Sequence, residues 1–159
     1  MQALNSPTNR GGTQLIQQLV LFVLGTRKFG VDVSLVREIR GWQPVTEVPS
    51  SAPNILGVIN LRGSIVGVYD LHARLGASRH SIGQSSVVIV IEHDGRSAGF
   101  LADAVSDIVS IGPDELKAPS ETGSNIDTLL SAMLIRGPDI VSVLDLASLL
   151  PAVDQPQAA

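Results

Sequence analysis

The stretch Ile65-Val66-Gly67-Val68-Tyr69-Asp70-Leu71, followed by Leu75, returns 75 residues later as Ile140-Val141-Ser142-Val143-Leu144-Asp145-Leu146, followed by Leu150. An Arg-Gly turn introduces each copy, at Arg62-Gly63 and at Arg136-Gly137. Further upstream, Val36-Arg37-Glu38-Ile39 corresponds to Val105-Ser106-Asp107-Ile108, with apolar, acidic and apolar positions matching across an offset of 69. The chain is therefore a tandem of two related units, about 19–75 and 87–150, in one polypeptide. Duplicated small β modules meet along their apolar faces, and the seam between them is a natural docking place for another protein.

At 159 residues the chain suits one compact domain or two small modules sharing a core. A unit of roughly 60 to 70 residues buries only about 60% of its unfolded surface, so neither half is expected to be very stable alone. Val, Leu, Ile and Ala carry the 44% apolar fraction, and Phe, Tyr and Trp together number five. Aliphatic β packing, not aromatic stacking, is expected to fill the core. A net charge of −4, with no basic run longer than Arg27-Lys28, argues against nucleic acid as a partner. The absence of cysteine excludes disulfides, thiol catalysis and thiolate metal sites, and agrees with a reducing cytoplasm. Residues 1–13 read as a disordered tail and not a signal peptide, 14–150 as the folded domain, and 151–159 as a flexible tail. The longest apolar runs, Leu19 to Leu24 and Val87 to Ile91, fall far short of the roughly 20 residues that span a bilayer, so no direct membrane insertion is expected.

Leu19 to Leu24 is an apolar run stopped by Gly25-Thr26-Arg27-Lys28, which reads as a strand and a hairpin turn before Phe29 to Val33 alternates with period two. The second unit repeats the plan with Val87 to Ile91, an Asp94-Gly95 turn that needs positive φ at both central residues, and Gly99-Phe100-Leu101. The two Val-x-acid-Ile segments are too short for periodicity to choose among strand, bend and helical turn. Ser51-Ala52-Pro53 has the form of a helix N-cap, predicting a short helix from about Pro53 to Leu56. Val58 to Leu61, Arg62-Gly63-Ser64 and Ile65 to Tyr69 predict a further hairpin. Asp70 and Asp145 then stand where a carboxylate caps short helices through Leu75 and Leu150. Gly76 to Ser86 reads as a connection and Lys117 to Asn125 as a mobile loop. Short strands with closely spaced turns give an all-β fold of two small barrels or curled sheets.

Catalytic chemistry is missing from the pattern. There is no Gly-x-Ser-x-Gly elbow, no Gly-x-Gly-x-x-Gly fingerprint and no Walker loop. His72, His80 and His93 fall on a predicted helix, a linker and a hairpin tip, none at metal-pair spacing, and read as solvated or capping residues. No catalytic or metal residue and no cofactor is nominated. A small β-barrel enzyme, the remote alternative, predicts a concave pocket with convergent polar groups. A nucleic-acid-binding barrel lacks aromatic stacking platforms.

Gly57-Val58-Ile59-Asn60-Leu61-Arg62-Gly63, with Ile65-Val66 and Val68-Tyr69-Asp70-Leu71 downstream, resembles the signature of the CheW family of bacterial chemotaxis coupling proteins. Val36-Arg37-Glu38-Ile39-Arg40-Gly41 and Val45 to Pro49 are similar to that family too, and the likeness runs through both repeats to Leu150. Gly67 and His72 depart from it, standing where proline and arginine are common. The resemblance implies two SH3-like five-stranded β-barrel subdomains on a shared apolar core. It also implies a non-enzymatic cytoplasmic adaptor, a monomer in isolation, that joins the chemoreceptor cytoplasmic tip to the regulatory domain of the histidine kinase CheA in arrays at the inner face of the membrane. A coupling protein of a non-flagellar pathway, such as twitching motility or surface sensing, fits the same pattern. The length leaves no room for an appended receiver domain, which separates the chain from CheV-type fusions.

The same resemblance assigns Val36, Glu38 and Arg62 to a receptor-binding patch, in which a methyl surface is buried and two opposite charges set the register. A guanidinium fork suits that task because it bonds carboxylates or carbonyls bidentately. Gly41, Val45 and Gly57 are its kinase-binding candidates, with turn geometry and ordinary packing as their plain explanation.

Overall fold

The computed structural model describes residues 18–49, 54–77, 82–119 and 129–150. The expectations for 1–13, Ser51 to Pro53, His80, 151–159 and most of the 117–125 loop lie outside these residues. Eleven strands are described in chain order. They are β1 (Gln18–Leu24), β2 (Arg27–Asp32), β3 (Val36–Gly41), β4 (Ile55–Leu61), β5 (Ser64–Tyr69), β6 (Val87–His93), β7 (Arg96–Ala102), β8 (Ala104–Ser110), β9 (Leu116–Lys117), β10 (Leu130–Arg136) and β11 (Asp139–Leu144). Short 3-10 helices at Val33–Leu35 and Leu146–Leu149 accompany them.

The strands form two mixed sheets, ordered β3-β6-β7-β5-β4 and β9-β10-β11-β2-β1-β8. The first sheet is built from residues 36–102, and the second from the chain on either side of it. Each sheet takes one hairpin from the other sequence repeat. The hairpin β6–β7 joins β5 through the parallel pairs Val68↔Gly99 and Tyr69↔Phe100, and β1–β2 joins β11 through Phe29↔Ser142, Gly30↔Val143 and Val31↔Leu144. The spatial modules are thus out of phase with the sequence repeats.

Side-chain alternation explains the exchange. On β6, Val88 and Val90 pack inside barrel one with Ile59, Leu61, Val66 and Val68, while Ile89 and Ile91 enter the core between the barrels. On β1, Leu19 packs inside barrel two with Leu134, Val141 and Val143, while Val20, Phe22 and Leu24 enter the shared core. A strand buried on both faces reads as an unbroken apolar run, which is how both stretches look in the sequence. Each fully buried Val, Leu, Ile or Phe contributes roughly 1.5–3 kcal/mol, so the exchanged hairpins hold the molecule together. Gly99 lets β7 lie close to β6, since a Cβ there would sit 2.6 Å from Val88 Cγ1. The expected aliphatic filling holds for the fully buried residues inside the barrels, with Trp42 packed at the margin of barrel one. The shared core instead gathers all three phenylalanines, with Phe22 and Phe29 at 5.9 Å and Phe100 at 5.8 Å from Tyr69.

Each sheet curls until its edges meet. Beyond β3, Thr46 exchanges two 2.8 Å backbone hydrogen bonds with Val58 on β4. Beyond β8, β9 pairs with β10 through Leu116↔Leu134 and Lys117↔Met133. The sixth strand of the second sheet is therefore the continuation of β8, and both barrels follow the five-stranded plan. The two Val-x-acid-Ile segments resolve as the equivalent edge strands β3 and β8.

Three local expectations are corrected. The Pro53 to Leu56 helix gives way to strand from Ile55, because Asn54 adopts φ 69° and the β-branched run behind it pairs with β5. Asp145 forms no side-chain cap, and Ser148 N–H reaches its backbone carbonyl instead. Asp70 does cap, accepting from His72 N–H at 2.9 Å over a single helical turn. His72 is neither solvated nor a simple cap, being 1% exposed with Nδ1 at 2.6 Å from Asp70 Oδ1 and Nε2 at 3.0 Å from Asp103 Oδ1. Asp103 is the single residue between β7 and β8, and its Oδ2 accepts from Gly25 N–H at 2.6 Å. The imidazole thus ties the β5–β6 connection to the crossing between barrels and, through Asp103, to the β1–β2 turn. Contacts at both ring nitrogens are what make its burial tolerable.

Candidate functional site

The edge strand β3 begins where the chain crosses between barrels. Asp32 Oδ1 accepts from Ser34 N–H at 2.9 Å, shaping the 3-10 turn that delivers Val36. A bulge comes next, with Val36 opposite Ile91 but Glu38 opposite Val90. Cross-strand partners share a face, and an inserted residue re-aims the side chains beyond it. Val36 therefore points with Ile91 toward the shared core, and Glu38 points with Val90 toward barrel one. The second repeat carries the same bulge, with Val105 opposite Phe22 and Asp107 opposite Leu21.

Arg62 sits at the tip between β4 and β5, in a turn whose central residues Arg62 and Gly63 have φ 52° and 90°. Asn60 Oδ1 accepts from Gly63 N–H at 2.8 Å and steadies that turn. The tip brings Arg62 Nη2 to 2.6 Å from Glu38 Oε1, joining the two edge strands of the sheet across the barrel mouth. Arg40 holds the other carboxylate oxygen at 3.0 Å and reaches Gln43 Oε1 at 3.2 Å. The hydrogen bond from Arg62, then that from Arg40, lowers the Glu38 pKa from the usual glutamate value.

Of the receptor-patch residues, the fold brings Glu38 and Arg62 together and turns Val36 elsewhere. Val36 packs against the shared core and lines a hollow with Leu35, Glu92 and His93. That hollow shares Leu35 and His93 with a cavity of about 470 Å³ whose lining comes from both barrels, including Asp32, Leu144, Asp145 and Ala147. The barrel seam therefore lies on the Val36 side.

The other three candidates differ in structural duty. Gly57 and Val45 meet where barrel one closes, since a Cβ on Gly57 would stand 2.5 Å from the Thr46 carbonyl oxygen and 2.8 Å from Val45 Cγ2. Val45 also packs on the barrel-one core. Gly41 ends β3, and a Cβ there would meet nothing within 4 Å, so neither crowding nor backbone conformation requires a glycine.

Exposed apolar residues that the motif did not single out recur in both barrels. Ile39 and Ile108, and likewise Ile65 and Ile140, are exposed at equivalent positions of the two repeats, and Ile135 is exposed opposite Ile140. The repeat offset was the signal that could have found them. Among the described residues no group of three or more His, Asp or Glu side chains is placed to hold a metal ion. No helix among them is long and apolar enough to cross a membrane.

Residues 18–154 match the CheW-like domain family. The chain is 33% identical over 144 residues to the chemotaxis protein CheW of Rhizobium meliloti, covering 89% of this chain and 92% of that protein. It is 30% identical over 151 residues to the chemotaxis protein CheW of Klebsiella aerogenes, covering 94% and 91%. The crystal structure of the scaffolding protein TtCheW from Thermoanaerobacter tengcongensis superposes with a TM-score of 0.74 at 28% identity, over 83% of this chain and 90% of that one.

Proposed function

The chain belongs to the CheW-like family of chemotaxis scaffold proteins, and from that membership we propose that it couples chemoreceptor cytoplasmic tips to the regulatory domain of the histidine kinase CheA without catalysing a reaction. The observation that carries the receptor half of this reading is the Glu38–Arg62 pair. It places an arginine whose side chain is 62% exposed at the mouth of barrel one, anchored through Nη2 at 2.6 Å with further N–H donors beyond that bond. Val36 and the seam cavity offer an apolar surface on a neighbouring side. Gly41 and Val45 supply the kinase half at the closing edge of the same barrel, and the buried Gly57 shapes that edge. Interfaces of this kind bury about 800 Å² or less per partner, bind in the micromolar range, and gain strength from repetition in an array.

Co-purification with the kinase regulatory domain and with a receptor cytoplasmic fragment tests the reading. Arg62→Glu is expected to keep the circular dichroism spectrum and kinase binding while weakening receptor binding by about tenfold or more, because it sets two carboxylates face to face. Equal receptor binding by variant and wild type overturns it. Gly41→Arg is the clean probe of the kinase half, since the open space around Gly41 spares the fold. Unchanged kinase binding by that variant removes Gly41 from the interface.

A further inference from the structure

At the hairpin-tip end of barrel one lies a small notch of about 100 Å³, room for a few water molecules. Its floor is Leu61, Val66 and Val90, and its rim is Arg37, Arg62, Ser64 and Ser97. All five strands of the barrel contribute. A guanidinium carries five N–H donors. Arg62 commits Nη2 to Glu38, and Arg37 commits Nη1 to Glu92 at 2.9 Å. Neither Ser64 nor Ser97 uses its hydroxyl within the described residues. Two guanidinium edges and two hydroxyls therefore converge uncommitted on one concavity.

The duplicated frame supplies an internal control. At the corresponding end of barrel two, Arg136 commits Nε and Nη2 to Glu115 and to the Ser110 carbonyl. The equivalent of Arg37 is Ser106, bonded to the Leu21 carbonyl at 3.3 Å, and the equivalent of Ser64 is the acidic Asp139, paired with Lys28. One end has committed more of its donors and acquired an acid. The other has kept four donor groups open around an apolar floor.

We propose that this notch receives the carboxylate of an aspartate or glutamate side chain presented by the receptor tip, with Arg37, Ser64 and Ser97 as contacts additional to Arg62. The proposal rests on the receptor reading of Arg62. The occupant is a partner's side chain and not a free anion, because Arg37, Arg40 and Arg62 carry only one positive charge beyond Glu38 and Glu92. So small an excess, open to solvent and screened by salt, exerts little long-range pull on a solvated anion. Its directional donors act once the rest of an interface delivers the carboxylate, when the ordering cost is shared.

The test uses the full chain and a receptor cytoplasmic fragment, with affinity read by calorimetry and folding by circular dichroism. Arg37→Gln and the double variant Ser64→Ala/Ser97→Ala are each expected to stay folded, bind the kinase domain normally and lose about tenfold in receptor affinity. A scan of Asp→Asn and Glu→Gln across the receptor tip is expected to find one position whose change costs wild type a similar factor and costs the serine double variant nothing further. If Arg62→Glu weakens receptor binding while Arg37→Gln and the serine variant bind as wild type, the notch proposal alone is overturned. If Arg62→Glu has no effect, the receptor reading and the notch fall together. Saturation of the rim amides by millimolar inorganic phosphate in an NMR titration, with no receptor carboxylate coupled, overturns the protein source in favour of a free anion.

Discussion

Arg62 and Arg136 occupy matching places in the two repeats, and each ties its barrel's edges together, yet they are held differently. In barrel one the turn centres on Arg62-Gly63, which puts the arginine at the tip with a single ion pair to Glu38 on β3. In barrel two Arg136 is the last residue of β10, opposite Asp139, and the turn centres on Gly137, with φ 60°, and Pro138. That shift of one residue draws Arg136 back along the strand, where it makes three hydrogen bonds to Glu115 and Ser110. A duplicated frame can keep the same closing geometry twice and still commit the donors of its two ends to different degrees.

The largest effect is expected where the barrels cannot be told apart. Phe100→Ala removes a ring 4% exposed in the shared core and should cost about 3–5 kcal/mol. Because the exchanged hairpins commit both barrels to that core, denaturant unfolding should remain one transition. Two separated transitions would make the barrels independent units. Next comes a change confined to barrel one. Gly57→Ala drives a Cβ into the Thr46 carbonyl and should cost about 1–3 kcal/mol, with faster hydrogen exchange at Thr46 and Val58 than at β9 and β10. Uniform loss of protection in both barrels would show that the seam is not local.

Smaller again is the difference between the two arginines. Arg136→Ala should lower the thermal midpoint more than Arg62→Ala, while only the second should weaken receptor binding. The reverse order would exchange the clasp and the contact. The smallest effect is on acidification. The Arg136 hydrogen bond, then that from Gly112 N–H, lowers the Glu115 pKa below the usual glutamate value, so its folded form favours the ionised carboxylate. The stabilisation is then fully present above the unfolded-state pKa and disappears as pH falls through the folded one. The stability gap between wild type and Glu115→Gln should accordingly close in acid, and a gap that widens there would contradict the assignment.

Much of the fold could be read from particular residues. Asp94-Gly95 and Arg62-Gly63 marked hairpins, and both pairs have positive φ. The matched Val-x-acid-Ile segments marked equivalent places but not their state, because a bulged edge strand has no regular period to detect. That Glu38 and Arg62, 24 residues apart, belong to one patch was an expectation of the family resemblance alone, and their ion pair came only with the fold. That Val36 faces away from that pair depends on one inserted residue. His72 looked like a surface departure from the family pattern, and its burial follows from Asp103, which lies 31 residues distant.

The chain alone established that two β units exist, where their turns fall, and that the family's coupling motif is present, because spacing, turn chemistry and apolar runs are local properties. Which repeat's hairpin completes which barrel, which arginine makes the fewer hydrogen bonds, and where uncommitted donors converge were settled only when the strands paired. Those outcomes come from contacts between residues far apart in sequence, and from a core whose two-sided burial could be met by exchanging hairpins between the repeats.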